Sequence, residues 1–138
     1  MSTRPARLKF DAIRRVVEND QEWIEVTLTF NGRTVIGRSP SADILETRGG
    51  IRRTALATLD GISQFVDGQF VCELQEIDRV SALGKELVVL LINLEFEGRR
   101  IQLFGSCRTG EDVLSATAKA ALDATNRYID IVTNKDGE

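Results

Sequence analysis

The sequence predicts an α+β fold made by internal duplication of a βββα unit, with antiparallel sheets backed by two helices. Three observations carry this. The chain repeats itself, with one copy in residues 7–66 and a second in 69–132. Glu25-Val26-Thr27-Leu28-Thr29-Phe30-Asn31-Gly32-Arg33 reads against Leu91-Ile92-Asn93-Leu94-Glu95-Phe96-Glu97-Gly98-Arg99, and Ala55–Asp60 reads against Ala118–Asp123. Each copy passes from period-two alternation to a spacing of three to four residues, so strands come first and a helix last. Each also carries a turn dipeptide ending in glycine, Asn31-Gly32 and Glu97-Gly98, of the kind that closes a two-residue hairpin. A unit repeated at this period buries its apolar face against its twin. Residues 1–138 therefore read as a single domain of two repeats with short flexible termini.

In the first copy Leu8, Phe10, Ala12 and Val16 outline a strand with a ragged far end, and Glu18-Asn19-Asp20-Gln21 forms a polar turn. Strict alternation follows. Ile24, Val26, Leu28 and Phe30 are apolar while Glu25, Thr27 and Thr29 are polar, which puts one face on a core and the other in water. Arg33–Arg38 returns antiparallel. After Gly37 a long connection leads to Ile51, Ala55, Leu59, Ile62 and Val66, one face of a helix. In the second copy Phe70, Cys72, Leu74 and Ile77 repeat the first strand. Its neighbour is different, because Leu87-Val88-Val89-Leu90-Leu91-Ile92 contains no polar residue. A strand apolar on both faces must have both covered. Either it lies beneath the twin repeat or its outer face meets another subunit. Arg99–Gly105 returns from the hairpin. The last helix starts near Asp112 and sets Val113/Leu114, Ala118, Ala121/Leu122, Thr125, Ile129 and Val132 on its apolar stripe.

Composition narrows the function classes. The net charge of −3 argues against general affinity for nucleic acid or anionic membrane, which needs surplus Lys and Arg to displace counterions. There is no His, so the commonest zinc ligand and the commonest general base are missing. Cys72 and Cys107 share no metal-binding spacing and read as reduced, structural thiols. No stretch of about 18 apolar residues exists, and residues 1–7 carry no apolar leader core. The chain reads as a cytoplasmic protein with no membrane span, no metal and no cofactor. No nucleophile, acid/base pair or metal cluster is legible, so an enzyme is not indicated.

The segment from Gly105 to Asn126 shows a glycine, an acidic residue opening a helix at Asp112, a small Ser115-Ala116 pair, spaced alanines and a closing Asn126. It resembles the end of the C-terminal regulatory domain of 2-isopropylmalate synthase. That resemblance implies two βββα repeats, binding of a leucine-type effector and dimerisation. Copy one keeps a glycine, a proline and an aspartate in Gly37–Asp43 but inserts extra residues before its helix. The family's catalytic barrel has no counterpart in these residues, and no synthase activity is implied.

The residues themselves point to a modest binding site. In each copy a glycine-containing connection runs from a strand end to a helix start, where free N–H groups and the positive end of the helix dipole accept carboxylates or phosphates. The candidates are Gly37, Ser39, Ser41, Asp43, Arg48, Arg52 and Arg53 in copy one, and Gly105, Ser106, Thr109 and Asp112 in copy two. Each has a plainer reading. Asp112 is better read as a helix cap, and Asp43 and Glu46 can neutralise Arg48, Arg52 and Arg53 within the loop. The basic start of one helix and the acidic start of the other could also meet. Asp60 and Asp123 recur at matched positions, but Gln64 and Arg127 at i+4 make them ordinary helix-surface pairs. Trp23 reads as an interface or edge aromatic. The expected function is a homo-oligomeric, dimeric regulatory module binding an amino acid or small carboxylate. The alternatives are a protein-interaction module or one like a double-stranded RNA-binding domain, of which Arg52-Arg53-Thr54-Ala55 is a faint echo and Glu111-Asp112 a contradiction.

Overall fold

The duplicated pattern becomes two three-stranded antiparallel sheets, each followed by one helix. The computed structural model describes residues 7–40, 50–110 and 112–136. The elements are β1 (Lys9–Glu18), β2 (Gln21–Phe30), β3 (Arg33–Pro40), α1 (Ile51–Val66), β4 (Val71–Ala82), β5 (Lys85–Phe96), β6 (Arg99–Arg108) and α2 (Val113–Asp136). Sheet A has the order β1-β2-β3 and sheet B the order β4-β5-β6.

Two-residue turns set the registers. Both central residues are left-handed at Asn19-Asp20, Asn31-Gly32, Leu83-Gly84 and Glu97-Gly98, the backbone that lets right-twisted strands turn back on each other. Leu83 holds φ 54° with its side chain fully exposed. Nothing in the sequence pattern announces a leucine at a turn.

The helices form the middle of the molecule. α1 packs on β2 and β3 and also reaches β4 of the other sheet, α2 packs on β5 and β6 and also reaches β1, and the two helices touch. This arrangement needs thin helices. Ala55, Ala57, Thr58 and Gly61 in α1, and Ala116, Ala118, Ala120, Ala121 and Ala124 in α2, are all buried. The inward faces of β2 (Ile24, Val26, Leu28) and β5 (Val88, Leu90, Ile92, Leu94) close the core from either side. The repeat is visible in detail: Phe30 meets Phe65 edge to face at 5.6 Å, and Phe96 meets Tyr128 likewise at 6.1 Å. Leu59 and Leu122 are both buried, as the alignment of the copies requires.

Gly37 and Gly105 belong to strands, which corrects the expectation that they open ligand loops. They pair with Val26 and Leu90. A Cβ on Gly37 would lie 1.9 Å from the Ala57 carbonyl oxygen, and one on Gly105 would lie 2.0 Å from that of Ala120. The glycines let each helix backbone rest on its third strand. β3 accordingly runs on to Pro40 and β6 to Arg108.

The outward faces of the two sheets have diverged. On sheet A, Glu25 is held by Arg14 at 3.0 Å and by Arg38 at 3.1 Å, while Arg38 also pairs with Glu18 and stacks 4.6 Å over Trp23. Trp23, half-buried on the central strand β2, has its own chain's Arg38 stacked over its ring. On sheet B the corresponding centre is apolar, with Leu91 at the place of Glu25.

Candidate functional site

Three of the expected site residues, Ser41, Asp43 and Arg48, lie outside the described residues, as does Glu46. The others divide by role. Ser39 is buried in β3 opposite Ile24. Ser106 lies exposed in β6 and its backbone N–H donates to Asp123 Oδ2 at 3.1 Å. The matching bond in copy one runs from the Arg38 N–H to Asp60 Oδ2 at 2.9 Å. These two N–H groups, one residue beyond each packing glycine, are thus occupied by carboxylates of the chain itself. Gln64 reinforces the first, reaching Asp60 Oδ2 at 3.1 Å and the Ile36 carbonyl at 2.9 Å. Thr109 closes the end of sheet B through its N–H to the Glu86 carbonyl at 3.0 Å.

Asp112 is a cap. Its carboxylate accepts the Leu114 N–H at 3.0 Å and the Ser115 hydroxyl at 2.5 Å, which satisfies part of the unpaired first turn of α2. The Ser115 hydroxyl is the first cause holding its carboxyl below the usual carboxylate range. The plainer of the two readings of Asp112 accounts for these contacts.

The start of α1 is built differently. Gly50 stands at the cap with φ 80°, no side-chain hydrogen bond from the described residues caps the helix, and no acidic residue falls in the first turn. Arg52 is exposed and Arg53 half-buried there. Cations at this end oppose the helix dipole. In the same turn Thr54 is fully buried, and its hydroxyl finds no hydrogen-bond partner among the described residues. The equivalent Thr117 donates to the Val113 carbonyl at 2.8 Å. A Cβ on Gly50 would lie 3.9 Å from Leu114, so the two helix starts meet at one end of the molecule. Of the predicted residues, this end gathers Arg52, Arg53 and Asp112.

The sequence pattern missed Thr54 and the true role of Asp60 and Asp123. The recurrence of the two aspartates was the signal. It marked a strand-to-helix latch shared by both copies, whereas pairing at i+4 explains only the Gln64 contact.

A cleft of about 480 Å³ lies at the opposite end, lined by Phe30, Arg33, Phe65, Asp67, Val132 and Thr133 among others. The helices end there, and their carbonyl ends disfavour anions. The cation in its lining, Arg33, stacks 4.7 Å over Phe65. Burial pushes the Cys72 thiol up to about 12, and Cys107 donates to the Arg108 carbonyl at 3.4 Å. Both cysteines are free. Among the described residues no group of three or more His, Cys, Asp or Glu could hold a metal ion, and no helix is long and apolar enough to cross a membrane. No protein-family model matches the chain, and comparison with curated proteins finds no match.

Proposed function

We propose that this chain is a homo-oligomeric regulatory module of the cytoplasm that binds an amino acid or small carboxylate, similar in role to the regulatory domain of 2-isopropylmalate synthase. The observation that carries the reading is the first turn of α1, where a glycine cap without a side-chain acceptor, two arginines and an unpartnered buried Thr54 hydroxyl occur together among the described residues. A carboxylate there would accept the first-turn N–H groups, balance Arg52 and Arg53 and agree with the dipole. The adjoining start of α2 has already used its own carboxylate, Asp112, for the same purpose.

The test is a thermal-shift screen of leucine, other amino acids and small carboxylates, because a ligand that binds only the folded state raises its melting point. A compound that stabilises the wild type should fail to stabilise Arg52→Glu/Arg53→Glu. That variant should melt within a few degrees of wild type without ligand, since Arg52 is exposed and Arg53 half-buried and such surface charges contribute about 0–1 kcal/mol each. A screen in which no compound shifts the wild type, or in which the double variant responds equally, refutes the site.

A further inference from the structure

We infer that the outward face of sheet B binds the same face of a second copy about a twofold axis parallel to its strands, with Phe104 of each copy seated on the other's Leu91. The inference rests on the homo-oligomer reading above and adds its surface and symmetry. Phe104 is 71% exposed on β6. It stands beside Leu91 in the ladder, within a strip continued by Leu87 and Val89 of β5 and by Val80 of β4. A contiguous apolar strip of this kind on one sheet face marks an association site. Sheet A has Glu25 and its arginines at the place of Leu91, so only one of the two outward faces can pack dry.

The partner is a second copy because the face carries its own electrostatic complement. Glu73, Glu76 and Asp78 stand along β4 on one side of the strip, and Arg100 and Arg108 stand along β6 on the other. An axis running across the strands would stack the acidic column on itself and the arginines on themselves. An axis along the strands, between β5 and β6, sets each arginine column beside the partner's acidic column. It also places Phe104 over the other copy's Leu91 and Arg100 over its Glu95, at the roughly 10 Å spacing of stacked sheets. Like-charge juxtaposition costs enough to decide between the two.

The experiment is sedimentation over a concentration series on wild type, Phe104→Glu, Leu91→Lys and an equal mixture of the two variants, with circular dichroism to confirm folding. Wild type should dimerise, and each variant should weaken self-association by at least about a hundredfold, as loss of a central aromatic anchor on both sides does. The mixture should recover a heterodimer. In it the carboxylate introduced at position 104 of one variant meets the ammonium introduced at position 91 of the other, and the second Phe104–Leu91 contact is intact. Should Leu91→Lys not fold, Val89→Lys takes its place and is mixed with Ser106→Glu, the position it faces across the same axis. A monomeric wild type overturns both the inference and the homo-oligomer reading. A wild-type dimer that survives Phe104→Glu overturns the face alone, and variants that dissociate but do not recombine overturn the axis.

Discussion

Replacing Gly105 with Ala isolates what the repeated glycines do. Gly105 is not at positive φ, so the ordinary expectation is stabilisation by about 0.4–1 kcal/mol, because alanine has fewer unfolded conformations to lose. The structure reverses the sign. The added Cβ would lie 2.0 Å from the Ala120 carbonyl oxygen, 2.8 Å from Ala124 Cβ and 2.9 Å from the Ala124 nitrogen. Two of these atoms are backbone, so no rotamer change relieves them. The helix must retreat by about 1 Å to reach the shortest separation that real Cβ atoms show. A radial gap of that size forfeits a quarter to a half of each dispersion contact, along a helix buried against two sheets. Overpacking of a close-packed core costs about 1–3 kcal/mol where side chains can yield. With backbone on the far side, a loss of about 3 kcal/mol or more is expected for Gly105→Ala and for its counterpart Gly37→Ala. Urea unfolding followed by circular dichroism measures it, read as a lower midpoint at unchanged slope. Gly61→Ala, whose Cβ would sit 3.1 Å from the Leu28 side chain, is the milder control. A Gly105→Ala protein as stable as wild type would refute close packing as the reason for the glycine, and a stable variant that had lost a ligand would return Gly105 to the binding site.

The latch aspartates should behave as a matched pair: Asp60→Ala and Asp123→Ala each lose the strand N–H acceptor and should cost about 1 kcal/mol in the same urea assay, unequal effects weighing against a shared role. Asp112→Asn keeps a cap acceptor but removes the charge that complements the helix dipole, and should cost about 0.3–1 kcal/mol at neutral pH. Because the folded carboxyl titrates below its unfolded value of about 3.9, the contribution is complete above that unfolded value. It is lost as pH falls through the folded one, so wild type and variant should converge in acid. In native protein at about pH 8 a disulfide reagent should modify Cys107 well before Cys72, whose thiolate burial suppresses; equal rates would contradict the buried placement.

The fold was legible because its determinants are local. Alternation in Ile24–Phe30, the Asn31-Gly32 and Glu97-Gly98 turns and the apolar stripes of both helices need no distant information. What escaped depends on which elements touch. Gly37 and Gly105 look alike whether they open a loop or admit a helix backbone, and only the placement of Ala57 and Ala120 decides. The Leu87–Ile92 run announces that both faces demand cover but not how the demand is met: one face is covered by the helices, the other by no element among the described residues. The stacking of Arg38 on Trp23 was not legible either, because the arginine comes from the neighbouring strand. At the candidate site, Arg52 and Arg53 stood out through their conflict with the helix dipole, a local property. The orphaned Thr54 hydroxyl did not, since its burial depends on how α1 packs.

Each helix leans on the opposite repeat, and the Leu8 N–H donates to Asn126 Oδ1 at 3.2 Å across 118 positions of sequence. The first strand thus docks on the last helix much as β4 docks on α1. The connectivity is that of a ring opened once, between α2 and β1, at the place equivalent to the one where α1 passes to β4 through Asp67-Gly68-Gln69-Phe70. A circular permutant that begins at Gln69, with the old ends joined by a flexible linker, would keep every strand pairing and both helix contacts among the described residues. Neither repeat, cut out by itself, would retain the far sheet that its helix is shaped to meet.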